Sequence, residues 1–119
     1  MLRESAKTSN VAVDLRVVTN PGLDSGIAHG AALLAFADAV TGTDAAALRR
    51  AREAIVEELG ARALVEVACI AANFSMNDRV ANATGIPMDG LFFDTSVDYR
   101  KELGINDFLS ARNSLDRAK

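Results

Sequence analysis

Between Ala61 and Thr84 the chain runs Ala-Arg-Ala-Leu-Val-Glu-Val-Ala-Cys-Ile-Ala-Ala-Asn-Phe-Ser-Met-Asn-Asp-Arg-Val-Ala-Asn-Ala-Thr without a Gly or a Pro. At roughly 1.5 Å per residue this stretch makes a helix about 36 Å long, as wide as a small domain. Gly60 stands before it and Gly85 after it, where a left-handed residue ends a helix. Apolar residues occur on almost every side, so little of such a helix is expected to face water. The sequence therefore predicts an all-α fold: a compact bundle of about five helices around a central helix at 61–84.

The neighbours of that stretch read as helices too. Asp24 to Val40 offers Leu33, Leu34, Phe36, Ala37 and Val40 on one face, with Asp24 or Ser25 as cap, and Gly42 closes it. Thr43 is the expected cap of a helix from Asp44 to Leu59, whose narrow apolar stripe is Leu48, Ala51, Ile55 and Leu59. The segment Val11–Val18 fits a strand by alternation and a helix by its stripe at Val11, Leu15 and Val18. A lone strand leaves its backbone groups unpaired, which favours a short helix or extended packing arm. Residues 1–20 are thus read as an amino-terminal arm, polar over its first ten residues, and 21–119 as a single helical domain.

Beyond the long helix, Ile86-Pro87-Met88-Asp89-Gly90 is a connector and Leu91-Phe92-Phe93 an anchor expected to plug into the core. Ser96 is read as the cap of a short helix ending at Gly104. Asn106 is read as the cap of a last one to about Leu115, with Phe108 and Leu109 inward.

Charge and cysteine usage exclude several classes of function. Acidic residues outnumber basic ones by 16 to 13, a formal charge of −3 with no Lys/Arg block, so nothing supplies the phosphate neutralisation that nucleic-acid affinity needs. Cys69 is the sole cysteine, which excludes an internal disulfide, a CxxC redox pair and a multi-cysteine zinc site. One His and no HExxH give metal binding no support. No cofactor is expected. No apolar run reaches about 18 residues and the first ten residues lack the apolar segment of a signal peptide, so a soluble cytoplasmic protein is expected.

Steps of 100° per residue along 61–84 bring Arg62, Glu66, Asn73, Asn77 and Thr84 into about a 60° wedge, with Cys69 at its border. That wedge reads first as the helix's one wet face. One alternative is a pocket in which Glu66 is the catalytic proton acceptor and Asn73 and Asn77 bind and orient a ligand. A subunit interface is the other. Arg79 falls among alanines, as an ion-pair partner of Asp78, or of Asp38 in a neighbour, or else as an anion anchor. His29 flanks Gly26 and Gly30 and reads as a surface or interface residue, with catalysis the alternative. Cys69 reads as a small core hydrophobe.

A set of stretches follows in a recognisable order: Ala31-Ala-Leu-Leu-Ala-Phe-Ala-Asp-Ala-Val-Thr41, the helix ending Glu57-Glu-Leu-Gly60, and Leu64-Val-Glu-Val with Ala71-Ala-Asn-Phe-Ser-Met-Asn-Asp-Arg79 and Thr84-Gly-Ile-Pro-Met-Asp89. In this order they resemble the carboxy-terminal helical half of the AhpD-like, or carboxymuconolactone decarboxylase-like, superfamily, over roughly residues 30 to 90. The resemblance implies an all-α fold that assembles as dimers, trimers or hexamers. It also implies, in redox members, a Glu, a CxxC and a following His that reduce peroxides. With Cys69 alone and His29 far from it, no peroxidase activity is expected here. The resemblance therefore implies a non-redox homo-oligomer acting as an assembly or small-molecule-binding module, and a dimer is the first expectation because twofold pairs are the commonest assemblies. The alternative is a lyase of the decarboxylase branch, using Glu66, His29 or Arg79 in a pocket at the subunit interface. Neither nucleic acid nor membrane is an expected partner.

Overall fold

A computed structural model describes residues 12–116. Among them there are six α-helices, no strand, and three 3-10 turns at Leu15–Val18, Ile105–Asp107 and Leu109–Ala111. The helices are α1 (Gly30–Thr41), α2 (Ala45–Leu59), α3 (Ala61–Thr84), α4 (Gly90–Thr95), α5 (Val97–Glu102) and α6 (Arg112–Leu115). The chain divides into two compact units, one running to Asn73 and the other from Phe74.

In the first unit, α1 and α2 pack through Ala32, Phe36, Ala51 and Ile55, the last with no exposed surface. Ala63, Leu64, Val67, Ala68 and Ala71 from the first half of α3 lie against that core. Mostly small side chains meet there, so the gain comes from close approach of backbones rather than from bulk. The expected stripe Leu48, Ala51, Ile55 does face this core, while Leu59 keeps 36% of its surface exposed.

Local chemistry fixes where these helices begin. Asp44, rather than Thr43, caps α2: its Oδ1 accepts from the amides of Ala46 at 2.8 Å and Ala47 at 3.1 Å. Helix α1 starts at Gly30, later than Asp24 as the sequence suggested. Asp24 Oδ1 accepts from Gly26 N at 3.0 Å and Ser25 Oγ from Ile27 N at 3.1 Å, so both side chains close turns instead of starting a helix. His29 then sits left-handed at φ +57° and its carbonyl accepts the first helical bond from Leu33. A Cβ at position 30 would collide with Ser25 Oγ, which is buried and already held, so the first helical residue must be Gly.

Ahead of this turn Ala12–Asp14 are non-helical, Asp14 N donates to Ser25 O at 3.1 Å, and the Leu15–Val18 turn buries Val17. The segment thus packs as an arm with a short helical turn. Its polar part, residues 1–10, lies outside the described residues.

Helix α3 has the predicted bounds, and both flanking glycines have positive φ, +90° at Gly60 and +64° at Gly85. Its expected burial is not found. No residue of α3 is buried, and Val65, Ile70, Phe74, Met76 and Val80 are each 57–63% exposed. The α1–α2 pair offers a single apolar face, which one side of the first half of α3 is enough to cover. Cys69, expected in the core, is exposed for the same reason.

In the second unit α4 is capped by Asp89, whose Oδ1 accepts from Leu91 N at 3.0 Å, and Met88 N donates to Ser114 Oγ at 2.7 Å. The Leu91-Phe92-Phe93 anchor is not plugged: Leu91 is 70% and Phe92 45% exposed, and Phe93 is half-buried. Phe108 and Leu109, expected inward, are also exposed, because two 3-10 turns occupy the place of one continuous helix from Asn106. Ser96 does precede α5, but its hydroxyl bonds back to Phe93 O at 3.2 Å instead of capping.

Candidate functional site

The residues singled out in the sequence distribute over α1 and α3. His29, at the start of α1, places Nδ1 2.9 Å from Glu58 Oε2 in the last turn of α2. A carboxylate can only accept, so Nδ1 carries the proton of this bond. The pair ties the two ends of the hairpin together, and both side chains remain a little over 40% exposed. Glu66 takes the Nε of Arg62 at 2.9 Å, an exposed i,i+4 pair worth a few tenths of a kcal/mol. His29 and Glu66 thus each engage a different neighbour, and no hydrogen bond joins them.

Asn73 and Asn77 are exposed and share the face of α3 with Glu66, as the 100° steps predicted, while Thr84 Oγ1 turns back to Val80 O at 2.8 Å. Arg79 is exposed, with no hydrogen-bond or ion-pair partner among the described residues, Asp78 included. This wet wedge is flanked on each side by apolar surface. Val65, Cys69, Ala72, Met76 and Val80 span about an 80° arc on one side; Ile70 and Phe74 lie on the other.

Concavities of the first unit among the described residues include the following pair. An apolar pocket of about 190 Å³ lies between the arm and α1, among Val13, Leu15, Val17, Ile27, Leu33 and Leu34. Pockets that enclose drug-sized ligands run from about 300 Å³ upward, so this one admits only a very small guest. A groove of about 560 Å³ runs along the α1–α2 hairpin, walled by Ala35, Ala39, Ala47 and Ala54, with Asp38, Asp44 and Arg50 as its charged groups. Two backbone amides hold the Asp44 carboxyl below its ordinary value of 3.8, with the Arg50 charge adding to them. Asp38 has no side-chain partner among the described residues.

Sequence reasoning missed the groove because its walls are alanines, which carry no chemical signature. The burial of Arg100 likewise has no signature in the sequence. Arg100 is 4% exposed: Nη2 donates to Phe93 O at 2.8 Å, the guanidinium lies 3.9 Å from the Phe93 ring centroid, and Nε finds no partner among the described residues. A desolvated cation over a ring contributes about 2 kcal/mol, which offsets part of the cost of burying the charge.

No group of three His, Cys, Asp or Glu side chains among the described residues is placed to hold a metal ion. No helix among them is long and apolar enough to cross a membrane. Comparisons with protein-family models, with curated proteins and with solved structures return no match.

Proposed function

We propose that this chain is a non-redox, AhpD-like helical module whose function is assembly, with α3 completed by a second copy of the same chain. The observation that carries this reading is the bare apolar surface of α3: five large side chains, each more than half exposed, on one helix. Exposed apolar residues scattered singly are ordinary, but Val65, Met76 and Val80 adjoin one another on one side of the polar wedge, and such a set marks an interaction surface. At about 25 cal/mol per Å², removing the exposed part of each from water contributes roughly 1 kcal/mol. The three on one side give on the order of 3 kcal/mol, against at least about 4 kcal/mol of lost translational and rotational freedom. The helix surface alone therefore supports no more than weak association, and a stable pair needs a second surface.

The lone, exposed Cys69 is consistent with the absence of dithiol chemistry, since a peroxide reduced by one thiol has no resolving partner in the chain. Sedimentation equilibrium at micromolar to millimolar chain concentration tests the reading. Twice the chain mass is expected, and Val65→Ser with Met76→Ser should shift the protein toward monomer while leaving its helical circular dichroism intact. A wild-type chain that stays monomeric at the highest concentration removes the proposal.

A further inference from the structure

The groove on the α1–α2 hairpin supplies the second surface. Resting on the reading that the chain pairs with itself, we infer that one face of α3 of one copy docks into the alanine-walled groove of the other, with Arg79 pairing with the partner's Asp38. Three observations carry this. The face is defined by Val65, Ala72, Met76, Arg79 and Ala83, which fall within about a 60° arc of the helix, and all five are exposed. Such a face presents two apolar knobs separated by methyl groups and one charge. The groove walls, Ala35, Ala39, Ala47 and Ala54, are short enough to let a helix approach closely, and the groove is open along the hairpin.

Charge decides the occupant. Arg79 is the one charged residue in that arc, because Arg62, Glu66 and Asp78 lie about 70° or more from its centre. The groove carries Asp38 and Asp44 against Arg50, a net negative site. Arg50 already acts on Asp44, and Asp44 is committed to the α2 amides. That leaves Asp38 as the acid of the groove lining, and Arg79 as the base on the stripe, with no side-chain partner among the described residues. A cation desolvated on an apolar face costs several kcal/mol unless a carboxylate meets it, so the pair also fixes the register of docking. Each copy owns both a stripe and a groove, so a second copy of the chain can supply either half of the contact.

Charge reversal tests this. Arg79→Glu and Asp38→Arg should each weaken the dimer on the order of tenfold or more by sedimentation equilibrium, and the double variant Arg79→Glu/Asp38→Arg should recover most of that loss. Ala35→Trp, at an exposed position of α1, should fill the groove and abolish pairing with helical content unchanged. A wild-type dimer that is indifferent to both reversals, or whose double variant is no better than the singles, overturns the docking while leaving self-association in place. A wild-type monomer overturns both.

Discussion

Asp44 shows how much one exposed side chain settles. Its carboxylate receives two amides that α2 cannot satisfy internally, and those bonds hold its pKa below the ordinary 3.8. A group whose folded pKa is depressed stabilises the fold above its unfolded pKa. That stabilisation disappears as pH falls through the lower, folded value. Asp44→Ala should therefore lower the melting temperature by several degrees at pH 7, and the gap from wild type should narrow as pH drops below about 3.8, to what a neutral cap acceptor still supplies. Asp44→Asn keeps the cap acceptor and should lose only the acid dependence. Thermal melts from pH 2 to 7 check both, and a gap as wide at pH 2 as at pH 7 would remove the capping charge as a contributor. Arg100 is the opposite case: a charge with an ordinary surface spelling, Val-Asp-Tyr-Arg-Lys-Glu, that the fold lays over Phe93.

At the scale of elements, the helices were legible where local chemistry alone decides them. The bounds of α3 were readable because glycine stands at each end and nothing between interrupts it. The start of α1 was not, since Asp24 and Ser25 serve equally well as helix caps or as turn closers, and only the buried packing of Ser25 against Gly30 chooses between them. Which faces are covered was least legible. Steps of 100° correctly grouped Glu66, Asn73 and Asn77, yet the same steps cannot say whether a neighbour exists to cover Phe74 or Met76. Where a neighbour does exist, position predicts cost. Ile55→Ala, at the fully buried centre of the α1–α2 contact, should cost about 2–5 kcal/mol by chemical denaturation, and Leu59→Ala one turn on should cost clearly less. Equal losses would mean that the hairpin packs through a different face.

Across the whole molecule the two units differ in what holds them. Val17, Ala32, Phe36, Ala51 and Ile55, the buried apolar residues among those described, all belong to the first unit, whereas the buried side chains of the second are Ser96 and Arg100. Apolar burial is the dominant favourable term in folding, so the second unit opens at lower free energy. Hydrogen exchange on the full chain should show amides of α4 and α5 exchanging well before those of α1 and α2. Simultaneous exchange would make the chain one cooperative body. The connections among the first three helices carry a further consequence. α1 is joined to α2 through Gly42–Asp44 and α2 to α3 through Gly60 alone, so the core is assembled from sequence neighbours. Loop-closure entropy for such short links is small, and even a core made largely of alanine has little disorder to overcome in forming it.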